Sequence, residues 1–359
     1  MNLNSRRYGL SRREFLKVAA AGLGGLFLFP SLPQLKGGEF PAEERLGRVL
    51  GGRVPVKLRP DIDSPDVGQL YDDDVVLWLR EVVGKRPLWY SQRFVETPQG
   101  YVYAPNLQPV MYQPNQPVEE LTDPKGMWVE VTVPYVDLVL QNPPARSPWL
   151  KHTTSPRLYF SQVMLVDAIK KEGQQVYYRV KELYGTFGDV FWAPAEAFRI
   201  IQPDEITPIH PDVEEKFVQV NLLQQTLSCF EGKQEVYFCR VSTGGKYDAE
   251  GNVSDKWATP VGSHTIWRKL VSVHMTGGTT GGGYDLPGIG WTVLFSGNGV
   301  AVHSTFWHNS FGIPRSHGCV NAAPADAKWI FRWTLPDVAY HPGDVTISGK
   351  GSSKVIVVE

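Results

Sequence analysis

Gly299-Val300-Ala301-Val302-His303-Ser304, followed after a spacer by Arg315-Ser316-His317-Gly318-Cys319-Val320-Asn321, is the stretch on which the reading of this chain turns. The first piece is an apolar run that reads as a strand delivering His303 at its end. The second places a cysteine behind a glycine and between polar neighbours, which suits a thiol displayed on a turn and not one packed in a core. A thiol reacts as thiolate, and an adjacent imidazole is expected to lower its pKa and populate that form near neutrality. In outline this is a nucleophilic-cysteine site.

Working outward, Trp291–Phe295 and Gly299–Val302 read as strands before the cysteine. Phe217–Leu222 and Glu235–Val241 read as a pair of strands farther upstream. Pro324–Trp333 is the best helix candidate, with Asp326 near its start and Trp329, Ile330 and Trp333 on one face. Glycines at 277–278 and 281–283 predict a flexible loop over the site. Cys229 and Cys239 flank the turn Glu231-Gly232-Lys233. A hairpin centred there sets Cys229 opposite about Glu235 and Cys239 opposite about Gln225, out of register for a disulfide. Two packed strand thiols are expected, leaving Cys319 as the reactive one.

The HS and SHGCVN motifs together resemble the signature of the YkuD-type L,D-transpeptidases, which cross-link bacterial peptidoglycan through a cysteine acyl-enzyme. Val241-Ser242-Thr243-Gly244 and the "TPxG" turn Thr259-Pro260-Val261-Gly262 extend the resemblance over roughly 215–350. It implies Cys319 as nucleophile and His303 as base, with the Ser304 carbonyl orienting the imidazole. It also implies an oxyanion hole from the backbone N–H groups of His317, Gly318 and Cys319. Asn321, Tyr284 and Trp307 are the implied substrate contacts, with Phe295 as a further aromatic candidate. Many members carry arginine where Asn321 stands; this chain resembles the subset with asparagine. An aromatic that some members place before the HS motif falls on Gly297 here.

The implied reaction releases D-alanine from a tetrapeptide stem and joins the acyl group to an acceptor amine. Water in place of the amine would make the enzyme an L,D-carboxypeptidase. Peptidoglycan stem peptides are the expected partners and carbapenem-type β-lactams the expected inhibitors. No metal or organic cofactor is expected, since His303, His308 and His317 share one local cysteine and lack paired zinc-ligand spacing. His264 and His274 are expected in surface or core positions without chemistry. A papain-like protease is disfavoured because histidine precedes cysteine here. A noncatalytic wall-binding protein is disfavoured because both reactive residues are present.

Upstream, short strands and turn residues alternate, and glycine (35) and proline (28) are plentiful, so the fold class is all-β with few short helices. Val54–Pro60, Asp63–Pro65, Gly68–Leu70, Val75–Leu79 and Gly100–Tyr103 resemble a bacterial SH3-type barrel. Val136–Leu140, Ala145–Pro148, Val163–Val166, Tyr177–Val180 and Asp189–Pro194 echo it in order, as an internal repeat would. The expected organisation is a leader and linker over 1–40, SH3-like units over 41–115 and 116–210, and a catalytic β-sandwich over 211–359.

Ser11–Lys17 resembles the twin-arginine export consensus, ahead of a weakly hydrophobic stretch from Val18 to Phe29. That stretch is short of the roughly 20 residues a spanning helix needs. No A-x-A cleavage site is obvious before Pro33, which leaves a removed signal and a retained membrane anchor both open. The expected location is the periplasm or cell wall. A net charge of -1, with no basic stripe, gives no basis for nucleic-acid binding.

Overall fold

The computed structural model describes residues 40–41, 43–86, 91–148, 150, 156–245, 252, 254–277, 284–297, 299–348 and 351–359. The segment expected to act as an export leader and the glycines at 278 and 281–283 lie outside the described residues. The fold is mostly β, with one α-helix among the described residues.

The strands fall into three groups in chain order. The first group builds a three-stranded and a five-stranded sheet from Leu46–Val49 through Leu107–Val110. These enclose Val49, Val54, Val56, Leu70, Trp78, Val95, Val102 and Leu107. The second builds a six-stranded and a two-stranded sheet between Met127–Val131 and Phe198–Ile200. In both groups a 3-10 turn (Ala104–Asn106, Ala195–Ala197) feeds a closing strand. Each closing strand pairs antiparallel with the strand that opens its group. The sequence echo between the two segments therefore has a counterpart in how each group is closed.

The third group is a β-sandwich of two five-stranded sheets. One sheet runs Gln234–Arg240, Thr226–Glu231, Lys216–Asn221, Lys354–Val358, Gly262–Thr265. Alternation in Lys216–Asn221 sends Val218 and Val220 inward while Phe217 and Gln219 stay partly exposed, as a half-buried strand requires. The other sheet runs Val320–Ala322, Val300–Ser304, Tyr284–Ser296, Arg268–Gly277, Asp344–Thr346. Val218, Leu227, Val271, Trp291, Val302 and Val320 share one core with the helix residues Ile330, Phe331 and Trp333.

The helix is Pro324–Trp333, as its periodicity predicts. Proline in its first turn costs no helical hydrogen bond. Ala327, Ile330, Phe331 and Trp333 form the buried face. Just past its end, the buried Lys269 ammonium donates to the carbonyls of Thr334 and Pro336.

Two expectations are corrected. Phe217–Leu222 and Glu235–Val241 do not pair with each other. Thr226–Glu231 lies between them, bonded to both. Its polar residues interrupt the apolar run that marks a strand in sequence. The hairpin also turns on a two-residue loop with a bulge after Cys229, so Cys229 faces Tyr237 and Cys239 faces Leu227. Both cysteines are free and buried.

The first two strand groups contact the sandwich directly. Arg48 donates to the Phe306 carbonyl at 2.8 Å. Tyr159 stacks on the Phe306 ring, with centroids 5.6 Å apart. Ser272 donates to the Val163 carbonyl at 2.6 Å, and the Trp128 indole donates to the Tyr340 carbonyl at 2.8 Å.

Candidate active site

Parallel pairing of Val300–Ser304 with Val320–Ala322 brings the two motifs together, setting His303 beside Asn321. Parallel neighbours need a long crossover, and residues 305–319 supply it. Cys319 thus ends a crossover whose start is His303. Both side chains line one pocket of about 240 Å³, together with Met275, Tyr284, Leu286, Trp307, Arg315, Ser316, His317 and Asn321. A larger cavity of about 490 Å³ lies where the three strand groups meet and includes neither Cys319 nor His303.

His303 is buried, and its Nδ1 lies 2.8 Å from the Ser304 carbonyl. A carbonyl only accepts, so Nδ1 carries the proton and Nε2 presents a lone pair. The backbone of Ser304, not its hydroxyl, makes this contact. Trp307 stacks on the imidazole at 5.8 Å between ring centroids. Burial pushes His303 down to about 4, against the Ser304 bond that favours the charged form. Cys319 is half-buried, and its thiol contacts the Gly299 carbonyl at 3.8 Å. Burial pushes that thiol up to about 11, opposed only partly by a backbone hydrogen bond from Ala301.

The expected thiolate is therefore corrected. With the thiol at about 11 and the imidazole at about 4, both groups are neutral near pH 7 in this conformation. Desolvation disfavours the charged form of each group. What the arrangement offers is a neutral thiol and a neutral base sharing one pocket.

Gly318 has φ +117, a backbone conformation that L side chains rarely adopt. Its N–H donates to Ser316 Oγ at 3.1 Å. The expected trio of oxyanion donors is corrected accordingly, since the Gly318 amide is engaged within its own turn. His317 is exposed at the pocket rim between Trp257 and Tyr284, with ring centroids at 4.9 and 5.2 Å. Phe295 is buried against His264 and does not line the pocket, so its candidate role as a substrate aromatic is dropped. Gly297 likewise lies outside the pocket lining.

Asn321 is buried, and its amide lies 2.8 Å from His308 Nε2. His308 Nδ1 accepts a hydrogen bond from the Ser310 amide at 3.1 Å. Burial, then the charge of Arg315, push His308 down to about 3, so it is neutral with its single proton on Nε2. That proton needs an acceptor, which turns the Asn321 oxygen toward His308 and the NH₂ group away from it. This assignment also gives the Asn321 oxygen a partner that it otherwise lacks.

The motif segments are fastened together by Thr259. Its buried hydroxyl donates to the Gly318 carbonyl and accepts from the Gly244 amide, both at 2.9 Å. The Thr243 carbonyl accepts from the Arg315 and Ser316 amides. Sequence reasoning left Arg315, Met275 and Leu286 without a role, although Arg315 stands in the same motif as Cys319. His274, expected to lack chemistry, is buried between Glu182 at 2.6 Å on Nδ1 and Asp285 on Nε2.

Residues 215–357 match the family model of the YkuD L,D-transpeptidase catalytic domain. No curated protein matches the chain. Among solved structures, a mutant of the Enterococcus faecium L,D-transpeptidase is 20% identical, over 42% of this chain and 52% of that one, with TM-score 0.30. This chain thus spans about half of that protein's solved length. The Mycobacterium smegmatis L,D-transpeptidase is 18% identical over 55% of this chain and 99% of that one, with TM-score 0.32. Mycobacterium tuberculosis L,D-transpeptidase 1 is 19% identical over 54% and 86%, with TM-score 0.30. The stretch matched by the family model, 215–357, contains both motifs and most of the third strand group, and its similarity to the YkuD L,D-transpeptidase catalytic domain is carried by that match.

Proposed function

We propose that the chain is a peptidoglycan L,D-transpeptidase using Cys319 as nucleophile and His303 as general base. The observation that carries this is the shared pocket of Cys319 and His303, with the imidazole held in one tautomer by the Ser304 carbonyl. As the sulfur attacks the L,D peptide carbonyl of a tetrapeptide stem, the thiol proton passes to His303 Nε2. Because both groups start neutral, proton transfer accompanies attack instead of preceding it. The oxyanion forms beside the backbone N–H groups of His317 and Cys319. Its collapse breaks the C–N bond; D-alanine leaves with the proton from His303, and a thioester stays on Cys319. The side-chain amine of a second stem then attacks the thioester, forming an amide, and the sulfur recovers its proton. Water as acceptor gives the carboxypeptidase outcome.

Asn321, Tyr284 and Trp307 contact the stem in this reading, with His317 at the rim. The two N-terminal strand groups serve as SH3-like units that hold wall material and brace the segment after His303. Export follows the twin-arginine route to the periplasm or cell wall, with the leader as a membrane tether if it is retained. The decisive experiment is incubation with a carbapenem followed by intact-mass measurement. A covalent adduct that disappears in Cys319→Ala, with D-alanine release from a tetrapeptide, supports the reading. Absence of both refutes it. Scoring dimer against tripeptide product then separates transfer from hydrolysis.

A further inference from the structure

Among the described residues lining the Cys319 pocket, Arg315 alone carries a fixed charge and none is an acid. Among the described residues, no carboxylate pairs with Arg315. Its side chain is tied at one corner only, where Nη1 donates to the Ser310 hydroxyl at 3.0 Å. Ser310 is itself buried, and the Arg315 amide is held by the Thr243 carbonyl. The guanidinium is thus anchored at both ends of its side chain while its other N–H groups stay uncommitted. Arg315 is exposed to solvent, so an incoming ligand can reach that fork, and its two parallel N–H groups match a carboxylate edge. The charge also acts inside the pocket wall, where it helps keep His308 neutral.

We propose that Arg315 is the specificity-determining residue that binds a carboxylate of the donor stem peptide beside Cys319. This rests on the transpeptidase reading and names the feature of the substrate the pocket selects. A tetrapeptide stem offers that chemistry at two places, the terminal carboxylate of the leaving D-residue and the free carboxylate of the diamino acid. A charge-assisted pair of this kind contributes about tenfold to a hundredfold in affinity.

The test uses the full chain carrying Cys319→Ala, which cannot acylate, and measures peptide binding by calorimetry. Three tetrapeptides serve as probes: one with both carboxylates free, one with a C-terminal amide, and one amidated on the diamino acid. With Arg315 present, one of the two amides binds about tenfold more weakly or worse than the free acid. In the Arg315→Gln background that same amidation changes nothing, and Arg315→Lys restores part of the difference. The amide that shows this coupling identifies the carboxylate. The proposal is overturned if each amidation has the same effect in both backgrounds, or if none of the peptides binds. Carbapenem adduct formation on the protein with Cys319 intact is scored separately, so an adduct without coupling removes the Arg315 role and leaves the enzyme assignment standing.

Discussion

The sharpest consequence of the site concerns the protonation of Cys319 at rest. Alkylation by iodoacetamide, mapped to Cys319 by mass spectrometry, reads the thiolate fraction directly. A thiol at its ordinary value of 9.0 is about 1% thiolate at pH 7, whereas one at about 11 is about 0.01% thiolate. That hundredfold deficit is partly offset, because the more basic thiolate is the better nucleophile. A Brønsted slope of about 0.4–0.5 returns a factor of about 6–10. Cys319 should therefore react about tenfold to fifteenfold more slowly than an ordinary cysteine at pH 7, with a rate that climbs toward pH 11. Cys229 and Cys239 do not interfere, as burial pushes both thiols far up. The discriminating perturbation is His303→Gln, which keeps a polar group but removes the base. Since His303 is pushed down to about 4, it provides no imidazolium near neutrality, and the alkylation curve should be unchanged in the variant. Acylation by a carbapenem, which needs the base, should be lost. A wild-type rate plateau between about pH 6 and 8 that vanishes in His303→Gln would refute the neutral pair and restore the preformed thiolate.

Three further outcomes are expected. Thr259→Val should lower the unfolding midpoint and abolish adduct formation, because it strands the buried Gly244 amide and Gly318 carbonyl at about 1–3 kcal/mol each; Thr259→Ser should be nearly silent by calorimetry. The Glu182–His274–Asp285 cluster raises the His274 pKa: burial opposes the proton, and the two carboxylates outweigh it. Its stabilisation is then full below the unfolded value of 6.5 and is lost as pH rises through the higher folded value, so denaturant titrations should show Glu182→Gln costing more at pH 6 than at pH 9. Lys269 behaves oppositely: burial lowers it to about 7, the unfolded chain binds its proton more tightly, and this group makes stability rise from about pH 7 toward 10.5. Urea titrations should show that slope reduced in Lys269→Met.

Much of this was readable from residues in a row. His303 and Cys319 were readable as neighbours because the two short motifs that carry them are joined by parallel strand pairing. Pro324–Trp333 is legible because a helix writes its buried face every three or four residues. Strand order was less so: Thr226–Glu231 sits between two apolar runs, and nothing local says which edge of each it will occupy. The direction in which Cys319 shifts is not legible in sequence, because desolvation depends on the packing around the thiol and not on which residues neighbour it in the chain. His274 likewise meets Glu182 across the junction of two strand groups, a pairing invisible to any local pattern. Arg315 was in plain view, but its significance lies in the missing acid opposite, which only three dimensions reveal.

The grip of Arg48 and Tyr159 on Phe306 couples the upstream half of the chain to the segment that follows His303. Phe306 stands three residues past His303, so tension or tilt in the upstream strands, transmitted by whatever they hold, would arrive at the imidazole through a short lever. A fragment trimmed to 211–359 would keep every reacting atom and lose that lever. Comparing its turnover with that of the intact chain on insoluble wall sacculi and on free peptides would reveal whether anchorage tunes the chemistry.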